Sequence, residues 1–182
     1  ALILGDNFFF GDGFQNKLKN ANNDVENATL FAYYSSTPEL YGVINFKNNE
    51  IKSITEKPKK PKSNYIVTGL YFYPNSVIKT AKLLKPSKRN ELEISDLNNA
   101  YIKNKKICLE YLGRGFSWFD TGSHQDLLSA SNFVSAQQSK LGLMIGSIEE
   151  IAYRKKYINL KQLHKLSKKY SNSSYGNYLS NL

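Results

Sequence analysis

Two aspartates stand directly behind short apolar stretches, which is where α/β proteins commonly carry their ligands. Asp6 follows the apolar run 1–4 in "ALILGD", and Asp120 follows the aromatic stretch in "GFSWFD". Unbroken apolar runs are typical of strands buried in parallel sheets, and ligands collect where such strands end. Two carboxylates at strand ends are suited to share one Mg²⁺, which takes oxygen ligands. The alternative is a pair of turn residues, with Asp120 capping a helix that begins near Ser123.

A second group of candidates surrounds the basic segment "TEKPKKPKSN". A lysine ammonium at Lys57 would neutralise a phosphate, and the neighbouring carboxylate of Glu56 would accept hydrogen bonds from sugar hydroxyls. The alternative is a solvated charged turn. Gly42 is either a β-bulge or a point where a ligand meets the backbone closely. Arg89 is either a phosphate clamp or an ordinary surface arginine.

Composition narrows the class of ligand. The formal charge of +10 comes from 25 basic residues, of which three are arginine, and the lysines are scattered along the chain. Proteins that read bases or grip phosphates with two hydrogen bonds use arginine for these contacts. Because arginine is rare in this chain, we do not expect nucleic acid as a partner. Anionic small molecules remain natural ligands for such a surface.

Several further features bear on compartment and chemistry. The apolar runs are far shorter than the roughly 20 residues that a membrane helix needs, so we expect no membrane association. Cys108 is the only cysteine and excludes an intrachain disulfide, which fits a reducing cytoplasm. His124 and His164 have no acid or cysteine at metal-ligand spacing, and we interpret both as non-catalytic.

The elements that must position the candidate residues have a mixed order as far as Gly122, with a turn predicted at "KNNE" (47–50). Apolar patterning and turn signals predict strands at 28–34, 41–46, 51–56, 65–74 and 107–113, and helices at 14–24, 75–84 and 94–104. Beyond Gly122 the strand pattern stops and helical spacing continues to the end. We therefore predict an α/β fold in residues 1–122, with a mixed sheet flanked by helices, and a helical C-terminal section in residues 123–182.

Six segments closely resemble the glucose-1-phosphate thymidylyltransferases, a family of bacterial sugar nucleotidyltransferases: "LGDNFFFGDGF", "YGVINF", "EKPKKPKSNYIVTGLYFY", "LKPSKRNELEISDLNNAY", "GRGFSWFDTGSHQDLLSASNFV" and "IEEIAYRKKYI". The resemblance covers essentially the whole chain in the same order. It implies a Rossmann-like nucleotidyltransferase fold and transfer of dTMP from dTTP to glucose 1-phosphate, with Mg²⁺ as cofactor. It also implies a homotetramer and a place in dTDP-glucose, dTDP-rhamnose and polysaccharide biosynthesis.

The resemblance implies a role for each candidate residue. Asp6 and Asp120 hold Mg²⁺, Lys57 contacts the sugar phosphate, Glu56 fixes sugar hydroxyls, Gly42 and Val67 contact the hexose through their backbone, and Arg89 binds phosphate. The usual "RGELEIT" around that arginine reads "RNELEIS" here, so Asn90 stands where the family has a glycine. A glycine adopts a positive φ at lower cost, and the substitution therefore bears on the conformation of this loop.

The family also has a regulatory nucleotide site at a subunit interface. The segment "EEIAYR" resembles the helix of that site. The candidate residues carried over are Glu150, Ile151 and Arg154, together with Gly11 near the start of the chain.

Two alternatives to this function remain open. In the family, the loop that binds the triphosphate precedes the position of Ala1, so we expect the 182-residue chain alone to be inactive. One alternative is therefore a non-catalytic fragment that binds sugar phosphate. The other is a uridylyl- or cytidylyltransferase that acts on the same sugar phosphate, against which "EEIAYR" and the C-terminal tail favour thymidine.

Overall fold

Eight strands and seven α-helices make up the described part of the chain, which comprises residues 1–87 and 90–182 of a computed structural model. The strands are β1 (Leu2–Ile3), β2 (Asn7–Gly11), β3 (Ala28–Tyr34), β4 (Gly42–Lys47), β5 (Glu50–Glu56), β6 (Tyr65–Phe72), β7 (Ile107–Leu112) and β8 (Phe116–Asp120). The helices are α1 (Phe14–Asn23), α2 (Val77–Lys82), α3 (Ile94–Lys103), α4 (His124–Leu141), α5 (Ile148–Arg154), α6 (Leu160–Ser167) and α7 (Ser174–Ser180). Short 3₁₀ turns occupy Pro38–Leu40 and Lys168–Tyr170.

The main sheet is mixed and has the strand order β5-β4-β6-β3-β7, with β1 added beside β6. Strands β3 and β7 run parallel, and the other pairs are antiparallel. The β4–β5 hairpin turns at Asn48 and Asn49, whose φ angles of 52° and 63° are those of a tight two-residue hairpin loop. The predicted mixed sheet and the turn at residues 47–50 are therefore confirmed.

Alternation along β3 covers both faces of the sheet. Leu30 packs in a cluster with Ile102 of α3, whereas the next residue, Phe31, packs in a different cluster with Ala21 of α1. Successive side chains of a strand point to opposite faces, so one apolar strand supports a helix on each side. The prediction of a sheet flanked by helices is confirmed.

The start of the chain differs from the prediction. Residues 1–4 were expected to form a buried strand of a parallel sheet, but Leu2 and Ile3 pair antiparallel with Tyr71 and Leu70. Leu2 is 41% exposed and Ile3 is 59% exposed. The expectation was wrong because apolar composition alone does not fix strand direction or burial.

A two-stranded ribbon of β2 and β8 accompanies the main sheet. The phenylalanine run of β2 pairs antiparallel with "FSWFD" of β8 from Asn7↔Asp120 to Gly11↔Phe116. Phe9 and Phe116 both pack against the cluster that contains Phe31. This packing fixes the ribbon against the main sheet. One end of the ribbon carries Asp6 and Asp120.

Contacts divide the chain into two compact units, Ala1–Asp126 and Leu127–Leu182. The second unit is helical, and Leu163 and Leu179 are fully buried in it. Helix α6 begins with a capping box in which Asn159 and Gln162 exchange hydrogen bonds at 2.8 and 2.9 Å. No helix within residues 1–87 and 90–182 is long and apolar enough to cross a membrane.

Candidate active site

A cleft of about 190 Å³ opens within the first unit. Five residues singled out from the sequence line it: Gly42, Glu56, Lys57, Val67 and Asp120. They come from the start of β4, the end of β5, the middle of β6 and the end of β8. The fold thus brings together candidates that are widely separated in the sequence. Arg89 lies outside the described residues.

Asp6 and Asp120 lie side by side at one end of the β2–β8 ribbon. The backbone N–H and the hydroxyl of Thr121 donate to the carbonyl oxygen of Asp6 at 2.8 and 2.9 Å. A Cβ on Gly122 would lie 3.3 Å from Oδ1 of Asp120 and 3.9 Å from Oδ2 of Asp6. Both carboxylates therefore approach one point.

The electrostatics of this pair suit a cation. Burial raises the pKa of the Asp120 carboxyl, and the nearby charge of Asp6 raises it further, while Lys57 acts in the opposite direction. Mg²⁺ is commonly held by one or two carboxylates, together with waters and substrate phosphates. A carboxylate whose charged form is disfavoured by burial and by a neighbouring carboxylate fits such an ion. The described residues contain no cluster of three or more His, Cys, Asp or Glu side chains suited to a metal.

The capping role considered for Asp120 belongs to another residue. Helix α4 begins at His124, and the hydroxyl of Ser123 accepts the backbone N–H of Asp126 at 3.1 Å. Ser123 also donates to the Asp126 carboxylate at 2.6 Å. The Asp120 carboxylate accepts a longer, 3.3 Å bond from the backbone N–H of Gly122, which lies before this helix. Asp120 is thus left to face the cleft that it lines.

Asn7 joins the aspartate pair to the rest of the fold, and sequence reasoning missed it. Its Nδ2 donates to Oδ1 of Asp6 at 2.9 Å. Its Oδ1 accepts from the backbone N–H of Gly69 at 2.9 Å and from Nε1 of Trp118 at 2.7 Å. One side-chain amide therefore orients Asp6 and ties β2 to β6 and β8. The only available signal was its position directly after Asp6 in "GDN".

Glu56 is held at the end of β5 by a neighbour on α3. The hydroxyl of Ser95 donates to Oε2 of Glu56 at 2.5 Å. Gly42 pairs with Glu56 across the β4–β5 ladder, and a Cβ on Gly42 would lie 3.2 Å from the same Oε2 and 3.3 Å from Oγ of Ser95. Such contacts are tight for a Cβ, so glycine leaves this part of the cleft open. Nothing in the sequence pattern pointed to Ser95.

Lys57 has a left-handed backbone, with φ of 41°. For a residue with a Cβ this conformation costs on the order of 1–3 kcal/mol, and such residues cluster at functional sites. The backbone N–H of Lys57 donates to the carbonyl oxygen of Tyr41 at 3.0 Å, which holds the turn. Lys57 is exposed yet lines the cleft, so its ammonium is available to an anionic ligand.

Two aromatic residues, Tyr41 and Trp118, line the cleft together with Lys57. The rings of Tyr41 and Trp118 meet edge to face with centroids 5.1 Å apart, and Trp118 also contacts the ring of Tyr33 at 5.7 Å. Burial raises the pKa of the Tyr41 hydroxyl, and the charges of Asp120 and Asp126 add to the effect. Sequence reasoning included neither Tyr41 nor Trp118 in the site.

Two of the residues proposed for a regulatory nucleotide site in the second unit, Glu150 and Arg154, already bond each other. Glu150 is 9% exposed and accepts hydrogen bonds from Nε of Arg154 at 2.6 Å and from the hydroxyl of Tyr178 at 2.5 Å. Ile151 is 51% exposed. These contacts give Glu150 a structural role within its unit, and the nucleotide site stays a prediction.

Gly11 belongs to the first unit and also has a structural explanation. It pairs with Phe116 at the end of the β2–β8 ribbon. A Cβ at this position would lie 2.5 Å from the Phe116 ring, so close packing requires glycine here.

Residues 1–137 match the nucleotidyl transferase family, and the chain belongs to that family. It is 46% identical over 180 residues to the glucose-1-phosphate thymidylyltransferase of Neisseria meningitidis, covering 98% of this chain and 62% of that protein. Identity to the enzyme of the same name from Mycobacterium tuberculosis is 42%, again over 98% of this chain and 62% of that protein. The chain thus spans about 62% of the length of these curated relatives.

Two solved structures agree with the fold. A Bacillus anthracis protein described as a glucose-1-phosphate thymidylyltransferase, crystallised with sucrose, superposes with a TM-score of 0.64 at 40% identity. The match covers 72% of this chain and 52% of that one. A UDP-glucose pyrophosphorylase complexed with UDP-glucose also gives a TM-score of 0.64, at 24% identity over 74% of this chain and 55% of that one. The second likeness concerns the fold alone.

Proposed function

We propose that this protein transfers dTMP from dTTP to glucose 1-phosphate, giving dTDP-glucose and pyrophosphate. The observation that carries the proposal is the convergence of Gly42, Glu56, Lys57, Val67 and Asp120 on one cleft. The cleft combines a cation for a phosphate, the Glu56 carboxylate for sugar hydroxyls and, in Asp120, one member of the carboxylate pair suited to a metal. The names of relatives at 42–46% identity support the same reaction and support an enzyme over a non-catalytic fragment.

The reaction is an in-line displacement at phosphorus. A phosphate oxygen of glucose 1-phosphate attacks the α-phosphorus of dTTP, and a new P–O bond forms. The bond from that phosphorus to the oxygen bridging to the β-phosphate breaks, and its electron pair leaves with pyrophosphate. Phosphoryl chemistry of this kind asks the protein for positioning and charge neutralisation.

The sugar phosphate is bound by the residues at the ends of β4 and β5. The Lys57 ammonium neutralises the phosphate, and the carboxylate of Glu56 accepts sugar hydroxyls. Ser95 holds that carboxylate through its 2.5 Å hydrogen bond. The backbone at Gly42 and Val67 contacts the hexose, and Arg89 adds a further phosphate contact.

Asp6 and Asp120 would hold Mg²⁺, which when bound supplies neutralisation of charge on the phosphates. Asn7 fixes the orientation of the Asp6 carboxylate through its 2.9 Å hydrogen bond, and Thr121 fixes its backbone. The acid pair is thereby preorganised for its ligand.

The names of the relatives support dTDP-sugar biosynthesis as the cellular context, and the remaining points extend the proposal. We place the protein in cytoplasmic dTDP-sugar biosynthesis that feeds dTDP-rhamnose and polysaccharide, and we propose a homotetramer. The proposed regulatory nucleotide site involves Gly11, Glu150, Ile151 and Arg154.

A pyrophosphate-release assay tests the proposed reaction. The product of the full reading frame that contains this sequence is incubated with Mg²⁺, glucose 1-phosphate and dTTP, UTP or CTP in turn. We expect turnover with dTTP to exceed turnover with UTP and CTP. A preference for UTP or CTP contradicts the choice of base, and no release with any of the three contradicts transferase activity.

Ligand binding separates an enzyme from a binding fragment. Trp118 is the only tryptophan of the 182-residue chain and lines the cleft, so its fluorescence reports occupation of the site. Binding of glucose 1-phosphate without turnover of the full reading-frame product supports the non-catalytic alternative.

A further inference from the structure

Asn98 is a buried polar residue that no step of the proposed reaction uses. It lies on α3, is 1% exposed and lines the same cleft as Glu56 and Lys57. Its Oδ1 accepts a hydrogen bond from the hydroxyl of Tyr73 at 2.6 Å. Buried side-chain amides normally satisfy both ends of the group, so the other end of this amide needs a partner.

The amide nitrogen of Asn98 is the unsatisfied end. No residue in the described ranges hydrogen-bonds to its Nδ2. Across the same ranges, no side-chain nitrogen or oxygen is fully enclosed and also without a partner. The Nδ2 atom is therefore reached by solvent, and the space beside Asn98 is the cleft.

Tyr73 sets which end of the amide faces the cleft. Its ring stacks on Tyr71 with centroids 5.9 Å apart and lies 5.7 Å from the ring of Tyr101, so its position is fixed. Burial strongly raises the pKa of the Tyr73 hydroxyl, which therefore keeps its proton and acts as a donor. A donor on this side holds the carbonyl oxygen of Asn98 and leaves the NH₂ group toward the cleft.

The chemistry around the amide complements a sugar hydroxyl. The Glu56 carboxylate accepts hydrogen bonds, and Tyr71 lines the cleft with a hydroxyl whose pKa is raised by burial and by the charge of Glu56. The Asn98 NH₂ group donates. A sugar hydroxyl both donates and accepts a hydrogen bond. The Asn98 NH₂ group can therefore donate to the hydroxyl oxygen, and the Glu56 carboxylate can accept the hydroxyl hydrogen.

We propose that Asn98 is a specificity-determining residue that donates a hydrogen bond from its amide to one hydroxyl oxygen of the bound sugar, with Tyr73 as the residue that positions it. The proposal rests on the proposed function, because it names a residue that recognises the sugar of that reaction. A site built to bond a hydroxyl rejects the analogue that lacks it, since the buried amide is then left unpaired.

The test combines two variants with the four monodeoxy analogues of glucose 1-phosphate, lacking the 2-, 3-, 4- or 6-hydroxyl. Asn98→Asp keeps the shape and an acceptor for Tyr73 but removes the donor. Asn104→Asp is the matched control, because Asn104 is an exposed residue at the end of the same helix. Dissociation constants are measured by calorimetry on the product of the full reading frame.

We expect the wild-type protein to bind one monodeoxy analogue at least about 10-fold more weakly than glucose 1-phosphate through this contact. Asn98→Asp should bind glucose 1-phosphate about 10- to 100-fold more weakly. It should no longer distinguish glucose 1-phosphate from that one analogue, and its discrimination against the other three should be unchanged. A general charge effect of the new carboxylate weakens all five ligands equally, and that result overturns the proposal. Asn104→Asp should bind all five as the wild type does.

Tyr73→Phe gives a second, independent readout if Asn98→Asp unfolds. Without its donor the amide is free to turn, so we expect reduced discrimination at the same hydroxyl and unchanged discrimination at the others. Undiminished discrimination in Tyr73→Phe overturns the positioning role. If wild-type protein binds glucose 1-phosphate but neither variant changes discrimination, the inference fails while the proposed function stands. If wild-type protein does not bind glucose 1-phosphate, both fail.

Discussion

Asn7 and Asp120 are paired directly across the β2–β8 ribbon. Because Asp6 precedes Asn7, this register brings two aspartates that are far apart in sequence to one end of the ribbon. The Asn7 amide then bonds Asp6, Gly69 and Trp118, so the acid pair is tied to the sheet. A shift of the register by one residue would turn these side chains to the other face.

Metal binding should depend on both members of the acid pair. We expect Mg²⁺ at about 100 times its dissociation constant to stabilise the wild-type fold by roughly 2.7 kcal/mol. Asp6→Asn and Asp120→Asn should lose most of this effect, because each removes one carboxylate ligand. Thermal melts in Mg²⁺ and in EDTA measure it, with Glu26→Gln, an exposed acid of the same unit, as control. An unchanged Mg²⁺ effect in both variants would contradict the shared site.

Asp120 should make the metal-free fold less stable as pH rises. Its pKa in the folded protein lies above the ordinary value of 3.8, first because of burial and then because of Asp6. The folded state therefore holds the proton more tightly than the unfolded state, and the cost appears as pH rises from 3.8 through the folded pKa. Asp120→Asn removes this cost, so it should be more stable than wild type at pH 7, with a smaller difference below 3.8. Urea unfolding in EDTA at several pH values decides the matter, and a difference that grows toward acid pH would be the wrong sign.

Lys57→Ala should reduce kcat/KM by about 100-fold or more, because an ammonium aimed at a phosphate stabilises charge in the transition state. The fold should survive, since Lys57 is exposed. Steady-state kinetics and a melting curve on the full reading-frame product measure both effects. Lys59→Ala, an exposed lysine of the same loop that does not line the cleft, is the control. Near-normal kinetics of Lys57→Ala would remove this lysine from the site.

Asn7→Ala should destabilise the protein by about 2–4 kcal/mol, because it leaves the N–H groups of Gly69 and Trp118 without their acceptor. Chemical denaturation gives the free energy of unfolding. Asn23→Ala at the exposed end of α1 should change it by less than about 0.5 kcal/mol. If both variants unfold alike, the amide does not tie the strands together.

Gly11→Ala should cost about 1–3 kcal/mol, because the added methyl group would lie 2.5 Å from the Phe116 ring. Gly115→Ala is a matched control in the turn before β8, where a Cβ meets nothing within 4 Å. The two free energies of unfolding are compared by the same denaturation experiment. A Gly11→Ala variant as stable as Gly115→Ala would mean that the ribbon adjusts freely.

Local features of the fold could be predicted from the sequence because they depend on neighbouring residues. The asparagine pair at 48 and 49 adopts the left-handed conformations of a tight turn, as the "KNNE" signal indicates. Asn90, which replaces the family's glycine, also has a positive φ of 60°. Asparagine tolerates this region better than most residues, so the loop needs no glycine there. The strand that ends at Glu56 was likewise predicted from the apolar–polar alternation of residues 51–56, and the strand end at Asp120 from the aromatic stretch before it.

The direction and burial of residues 1–4, and the residues that hold the site together, were decided only by the tertiary structure. Ser95 and Asn98 carried no signal of their own, and Asn7 only its position after Asp6, because their partners lie on distant elements. A polar side chain in a sequence states which bonds it can make, whereas strand register and helix packing decide which partners come within reach. The sequence therefore predicted which chemical groups the site contains. Contacts between elements far apart along the chain decided how those groups are arranged.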